Sequence, residues 1–163
     1  MNRKRFLGAA AASVLLAGCG FQLRQAPQFA FSSIYIGASS SLANELKRTI
    51  GSGGNVSVLD GTRLTSAQVV LDLVGDQREK VVVGINASGQ VREFQLRTRL
   101  HFRLRTPQGR ELIPDTELLQ TRDVSFNESA VLAKEAEEGL LYRDMQTDLV
   151  QQLMRRIAAV KQI

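Results

Sequence analysis

The sequence predicts an α+β fold in which two helices pack on one face of a mixed, largely antiparallel sheet of four or more strands. Three patterns support this prediction. Apolar and polar residues alternate strictly along residues 93–105, a strand–helix–strand pattern spans residues 31–59, and an amphipathic helical pattern lies near the C-terminal end. Helices that cover one face of such a sheet form a two-layer α+β sandwich with one core.

The first elements predict a parallel strand pair joined by a crossover helix. Phe31 to Ile36 is a short β-rich run, and Val56 to Leu59 is a second one. Between them, Ser41 is placed to cap a helix that glycines end. The apolar residues Leu42, Leu46 and Ile50 recur every four positions, and the glycines are Gly51, Gly53 and Gly54.

The middle of the chain predicts antiparallel strands. Residues 68–74 and 80–85 are valine-rich β segments with Gly75 and Asp76 between them, and residues 86–89 supply turn residues. The next segment places apolar or small side chains at alternate positions: Phe94, Leu96, Thr98, Leu100, Phe102 and Leu104. This period of two predicts a long strand with one buried face and one solvated face.

The last two elements are a return strand and a long helix. Residues 107–109 (Pro-Gln-Gly) form a turn, and Glu111 to Phe126 is the return strand, interrupted early by Pro114. The helix runs from roughly Glu135 to Ala159. Its apolar row has the spacing i, i+4 and comprises Leu141, Met145, Leu149, Leu153 and Ile157.

The N-terminal segment has the pattern of a lipoprotein signal peptide. Arg3, Lys4 and Arg5 precede a run of about a dozen apolar and small residues, too short to span a bilayer as a helix. The run ends in Leu-Ala-Gly-Cys, which resembles the lipobox of bacterial lipoproteins, so Cys19 is the predicted lipidation site. The predicted organisation is a signal peptide (1–18), a lipidated N-terminus and tether (19–30) and one domain (31–163). Residue 20, which follows the predicted lipidation site, is glycine and not aspartate, and by resemblance to enterobacterial lipoproteins this favours sorting to the outer membrane.

Composition argues against nucleic-acid binding and catalysis. Three of the 21 basic residues and none of the 16 acidic residues lie in the signal peptide, so the mature chain carries 18 basic and 16 acidic residues. We therefore expect no nucleic-acid partner. The chain has one histidine, His101, and no carboxylate near it in sequence, no cysteine besides Cys19 and no phosphate-binding glycine loop. We expect no catalytic residues, no metal site and no cofactor.

The solvated face of the long strand carries an arginine ribbon, which we define as Arg97, Arg99, Arg103 and Arg105. Alternate side chains on a strand lie roughly 7 Å apart, so these charges repel one another unless something pairs with them. Two interpretations remain open. The ribbon is a solvated face balanced by Glu111, Asp115 and Glu117 on a neighbouring strand, or it is a contact surface for phosphates or an acidic partner.

Three stretches together resemble the lipopolysaccharide-assembly lipoprotein LptE family. They are the residues from Cys19 to Arg24, the turn and strand start from Gly89 to Gln95, and the segment that begins at Ala133 and Lys134. The last stretch leads into a helix with Tyr142, Asp148, Arg155 and Arg156. The order and spacing of the stretches, rather than any one motif, carry the resemblance.

The resemblance implies a non-catalytic role in lipopolysaccharide transport to the cell surface. Members plug the lumen of the outer-membrane β-barrel LptD, in a complex we expect to be 1:1, and help it fold. They are anchored by lipid on the periplasmic side of the outer membrane. Lys134 matches one family position proposed for lipopolysaccharide contact. Ala87 occupies the other, and Arg92 is the candidate substitute. The alternatives are a free-standing lipopolysaccharide-binding lipoprotein and a pilotin-like chaperone of another outer-membrane complex.

Overall fold

A computed structural model describes residues 27–163 and contains a five-stranded mixed sheet and two long helices. The elements in chain order are β1 (Ser33–Tyr35), α1 (Ser41–Ser52), β2 (Ser57–Leu59), β3 (Val69–Ile85), β4 (Val91–Arg105), β5 (Glu111–Ser125) and α2 (Val131–Ala158). The order of strands across the sheet is β2-β1-β3-β4-β5. The predicted α+β class is confirmed. The predicted signal peptide, Cys19 and the tether up to residue 26 lie outside the described residues.

The parallel half of the sheet follows the predicted strand–helix–strand pattern. β1 pairs in parallel with β2 and with β3, and Ile34 is opposite both Val58 and Val69. The cap of α1 is Ser40 rather than the predicted Ser41. The Ser40 side chain accepts a hydrogen bond from the Ala43 backbone N–H at 3.2 Å. Ser40 has the extended backbone that a capping residue requires, whereas Ser41 is already helical.

The two valine-rich segments form one continuous strand, β3. One register shift between Leu73 and Gly75 and two more between Val82 and Ile85 allow the strand to stay paired with β4 to its end. A bulge adds one residue to one strand without ending the ladder. Gly75 and Asp76, which have the composition of a turn, therefore lie inside the strand.

Strand β4 is an interior strand of the sheet, and its predicted alternation is confirmed. Its helix-facing side chains are buried, with Leu96, Leu100, Phe102 and Leu104 fully inaccessible and Thr98 nearly so. β4 is paired antiparallel with β3 on one side and β5 on the other. The arginine ribbon therefore lies on the face of the sheet that neither α1 nor α2 covers.

Helix α2 begins at Val131, one turn earlier than predicted. A 3-10 turn over Glu128–Ala130 leads into it, and the Asn127 side chain accepts a hydrogen bond from the Ser129 N–H at 3.0 Å. The predicted apolar row packs into the core, where Leu149, Leu153 and Ile157 belong to the same cluster as the buried residues of α1. Neither helix in residues 27–163 is apolar enough over a sufficient length to cross a membrane.

A polar network joins the two helices to the sheet. Gln146 of α2 accepts a hydrogen bond from Arg78 of β3 at 3.0 Å and donates one to Glu45 of α1 at 2.6 Å. Thr147 donates a second hydrogen bond to Glu45 at 2.9 Å. Because a buried amide without partners is costly, these bonds fix how α1 and α2 sit against β3.

The packed chain begins within the segment predicted as a tether. Phe29 stacks on Phe31 with ring centroids 5.2 Å apart and packs against the main core cluster. Val160, just after α2, packs against the same cluster. Ala30, near the start of the described chain, and Ile163, at its end, line one open depression. The N-terminal entry and the C-terminal end of the domain therefore lie together.

The first prediction concerns the core between α2 and the sheet. Leu149→Ala should lower the free energy of unfolding by about 2–5 kcal/mol, because Leu149 is fully buried and its truncation leaves a cavity. Leu132→Ala is the matched control on the same helix. Leu132 is 82% exposed, so we expect a change within about 0.5 kcal/mol. Chemical denaturation measures both, and equal effects would contradict the packing described above.

Candidate functional site

The tip of the domain brings together the two residues proposed for lipopolysaccharide contact. We define the tip as residues 80–92, which comprise the end of β3, the β3–β4 turn and the start of β4, together with the end of β5 and the first turn of α2. The Lys134 ammonium donates to Ser125 Oγ at 3.1 Å, and the Arg92 carbonyl accepts from the Phe126 N–H at 2.7 Å. Both residues therefore flank the end of β5, although they are far apart in sequence.

Lys134 and Arg92 differ in how far their charges are compensated. Lys134 forms an ion pair with Glu137 at 2.8 Å, one turn further along α2. Arg92 is exposed, and its guanidinium reaches only the Gln90 side-chain oxygen, at 3.5 Å. No carboxylate among residues 27–163 forms an ion pair with Arg92. The tip thus presents one compensated and one uncompensated cation.

A small cavity of about 60 Å³ lies beside Lys134. Lys80 and Glu138 line it and form an ion pair at 2.6 Å. The Lys80 ammonium also lies 4.4 Å from the centre of the Phe94 ring, which packs edge-on against Phe126. The sequence did not identify Lys80 as a tip residue, because the pairing of β3 with β4 and the contact with α2 bring it there.

Exposed apolar side chains surround these cations. They are Val82, Val83 and Ile85 at the end of β3 and Val131 and Leu132 at the start of α2. Val131 lines the cavity beside Lys134, and Val82 is opposite Phe94 in the sheet. The tip is therefore amphipathic, with cations next to exposed aliphatic groups. This combination suits a ligand that has both phosphates and acyl chains.

Most of the arginine ribbon is paired within the domain. Asp72 of β3 accepts hydrogen bonds from Arg103 Nε at 2.7 Å and from Arg105 Nε at 2.8 Å. Arg99 lies 3.9 Å from Glu79 and 3.5 Å from Glu117, although its Nε–H finds no well-aligned acceptor. Asp72 and Glu79 belong to β3 and Glu117 belongs to β5, so the acidic partners of the ribbon come from both strands that pair with β4.

Arg97 is the exception in the ribbon. Its Nε donates to the Gln95 side chain at 2.8 Å, and within residues 27–163 it forms no ion pair. The hypothesis that the ribbon contacts a phosphate or an acidic partner stays a prediction. The pairing of the other arginines concentrates that hypothesis on Arg97.

His101 lies between two carboxylates that are distant from it in sequence. Asp115 of β5 lies 3.5 Å from its Nδ1 and Glu117 lies 3.2 Å from its Nε2. The sequence has no carboxylate close to His101 along β4, but the pairing of β4 with β5 brings these two carboxylates to the imidazole. No hydroxyl group of the described residues is hydrogen-bonded to the imidazole, so this cluster lacks the nucleophile of a catalytic triad. Within the same residues, no group of three or more histidine and acidic side chains is arranged to hold a metal ion.

The second prediction concerns Asp72. Partial burial alone would raise the pKa of its carboxyl group, but the hydrogen bonds from Arg105 and Arg103 outweigh burial and hold the pKa below its usual value. A lowered pKa in the folded state contributes stability that is present above about pH 4 and lost as the pH falls through the folded-state pKa. Asp72→Asn should therefore lower the free energy of unfolding at pH 7 by about 1–3 kcal/mol, with a smaller difference in acid.

The control for this prediction is Asp144→Asn. Asp144 is exposed on α2 and forms no ion pair with any described residue. Its substitution should change stability by no more than about 0.5 kcal/mol at any pH between 3 and 7. Denaturation curves at several pH values measure both variants. An Asp72→Asn effect that did not shrink on acidification would show that the ion pairs are not its source.

Comparisons with known proteins agree with the resemblance seen in the sequence. The profile of a family described as LptE, lipopolysaccharide-assembly, matches residues 27–157. The solution structure of an uncharacterized lipoprotein B from Nitrosomonas europaea is 34% identical, with a TM-score of 0.72, over 86% of this chain and 91% of that chain. A search of curated proteins found no match.

Two further solved structures share the fold. The rare lipoprotein B from Shewanella oneidensis is 22% identical, with a TM-score of 0.65, over 78% of this chain and 94% of that one. A minor lipoprotein from Acinetobacter baumannii is 20% identical, with a TM-score of 0.63, over 81% and 94%. The family match covers most of the chain, and the Nitrosomonas protein is related in both sequence and fold. The chain therefore belongs to the LptE family of lipopolysaccharide-assembly lipoproteins.

Proposed function

We propose that this lipopolysaccharide-assembly lipoprotein plugs the lumen of the outer-membrane β-barrel LptD and assists the assembly of that barrel. The complex is 1:1, and lipidated Cys19 anchors the chain on the periplasmic side of the outer membrane. In this position the domain takes part in lipopolysaccharide transport to the cell surface. Family membership supports the assembly role, and the geometry of the sheet supports the plug.

The face of the sheet that neither α1 nor α2 covers is the observation that carries the plug proposal. Its charges are largely paired with one another across strands, through Asp72 with Arg103 and Arg105 and through Arg99 with its two glutamates. The interior of a wide outer-membrane barrel is polar. Because only Arg97 of the arginine ribbon lacks an ion pair among the described residues, most of this face can lie against such a wall without burying an unpaired charge.

The domain is longer than the lipid-facing band of such a barrel is tall, so its two ends would lie near opposite sides of the membrane. β4 contains 15 residues, so it is about 50 Å long, compared with a lipid-facing band about 25 Å tall on such barrels. The eight peptide units from Cys19 to Pro27 span at most about 29 Å. A lipid on Cys19 would hold the N-terminal end of the domain near the periplasmic rim. The tip, at the far end of the sheet, would then point towards the cell surface.

The tip is the proposed contact for lipopolysaccharide. Arg92 supplies an uncompensated guanidinium, Lys134 supplies a second cation with Val131 beside it, and other exposed aliphatic side chains lie at the same end of the domain. Guanidinium groups bind phosphates through paired hydrogen bonds. The same cations would contact the phosphates of lipid A, while the aliphatic groups face its acyl chains.

The free-standing lipid-binding alternative is less well supported. A carrier that shields lipid acyl chains needs an enclosed pocket of several hundred Å³. The cavity beside Lys134 holds only about 60 Å³, too little for one acyl chain. The amphipathic tip suits transient surface contact better than enclosure.

The third prediction tests the barrel partner. A C-terminally tagged chain, purified from detergent-solubilised outer membranes, should retain one large β-barrel protein in stoichiometric amount. Mass analysis of the bound material identifies the partner. If the lipidated chain runs alone, the plug proposal fails and the free-standing alternative takes its place. Recovery of a different outer-membrane complex would instead support the pilotin-like alternative.

The fourth prediction tests the tip. The double variant Arg92→Glu with Lys134→Glu should weaken lipopolysaccharide binding by about tenfold or more, because two favourable charges become repulsive. Binding of purified lipopolysaccharide to the mature chain measures the effect, and circular dichroism checks that the fold is intact.

The matched control is Arg48→Glu with Arg143→Glu. Both arginines are exposed, neither forms an ion pair with a described residue, and the change in net charge is the same. Arg143 lies roughly 14 Å along α2 from Lys134. If the control weakens binding as much as the tip variant does, general electrostatic attraction explains the binding and the tip is not a specific site.

A further inference from the structure

The end of the domain opposite the tip carries a second set of cations, which we call the cationic base. It comprises Arg110, Arg155, Arg156 and Lys161, all of them exposed. Ala30, Arg110 and Ile163 line one open depression, so the β4–β5 turn, the N-terminal entry and the C-terminal residues meet there. Arg155 and Arg156 line a shallow groove on the last turns of α2, just before this meeting point.

The charges of the cationic base are not compensated within the described domain. None of the four side chains forms an ion pair with a carboxylate in residues 27–163. Lys161 reaches only the Ala158 carbonyl, at 3.4 Å. Asp148, the last acidic residue in the sequence, is already paired with Arg122 at 2.6 Å. The favourable interaction with the C-terminal end of α2 accounts for the placement of Arg155 and Arg156, but it does not involve Arg110 on the β4–β5 turn.

The position of the cationic base relative to the chain entry suggests what it meets. Ala30, Arg110 and Ile163 line the same depression, so the base lies where the chain enters the domain. At most about 29 Å of chain separates Cys19 from Pro27. A diacylglycerol on Cys19 would therefore keep the base close to the headgroups of the leaflet that holds the lipid.

We propose that the cationic base docks on the anionic phospholipid headgroups of that leaflet. This inference rests on the proposed function only in taking Cys19 as the site of lipid attachment. Each Lys or Arg near an anionic leaflet strengthens membrane binding by about fivefold. The base supplies a second attachment to the leaflet beside the lipid.

The test uses the mature chain with Cys19→Ser, which removes the lipid and leaves the base as the membrane contact. Co-sedimentation compares vesicles that contain phosphatidylglycerol with vesicles of phosphatidylcholine alone. Binding should be confined to the phosphatidylglycerol vesicles and should fall steeply between dilute buffer and about 0.5 M salt. Arg155→Glu with Arg156→Glu should weaken it by about tenfold or more. Arg155→Gln with Arg156→Gln should act in the same direction without adding negative charge to the helix end.

The matched control is Arg48→Glu with Arg143→Glu, which changes the net charge equally outside both the base and the tip and should bind these vesicles normally. Unchanged binding of both base variants, or an equal loss in the control, would overturn the proposal. So would equal binding to phosphatidylcholine vesicles. The assay contains neither LptD nor lipopolysaccharide, so failure of the plug proposal and failure of this inference are separate results.

Discussion

The double pairing of strand β4 is the constraint on which the rest of the domain depends. β4 has a neighbour along nearly its whole length on both sides, so its backbone is satisfied by β3 and β5 and its side chains must alternate between two environments. On one face, α2 packs over the buried side chains of Leu96, Leu100 and Phe102. On the other face the same geometry sets the arginines in a row. The hydrophobic core and the charged ribbon are therefore two results of one strand period.

A charged sheet face without a helix cover has to be stabilised by the strands themselves. Asp72 sits opposite Arg103 in the register and also reaches Arg105, so one carboxylate separates two cations that would otherwise repel each other. Arg99 is placed between a glutamate from each neighbouring strand. This arrangement makes the face polar but nearly self-neutral, which allows contact with a polar wall while adding little attraction for unrelated anions.

The sequence predicted the parts of the structure that depend on local periodicity. The alternation along residues 93–105 and the apolar row of α2, with its spacing of four residues, supported the predicted fold class. The apolar side chains of both patterns pack in the core, as expected. Local composition separated two strands at Gly75 and Asp76, whereas the bulge between Leu73 and Gly75 lets β3 continue through both residues. It also placed the start of α2 too late, because the 3-10 turn that Asn127 caps leads directly into the helix. Among the partners of the arginines, the sequence named Glu117 but not Asp72 or Glu79, which depend on the register of β3 with β4. The partners of His101 depend on the register of β5 with β4, and no local pattern encodes either register. The same holds for Lys80, which reaches the tip through contacts between β3, β4 and α2.

The state of Lys134 in the isolated domain affects how the tip would act on a phosphate. Its ammonium is already bound to Glu137, so a phosphate must replace that carboxylate, and the gain is the difference between two ion pairs. Arg92 has no such competitor among residues 27–163, and a phosphate there gains the full guanidinium interaction. The larger share of binding energy should therefore come from Arg92, with Lys134 acting as an exchangeable partner. Contact of this kind is easily reversed, as a transport step requires, because the displaced Glu137 stays one helical turn away and re-forms its ion pair when the ligand leaves.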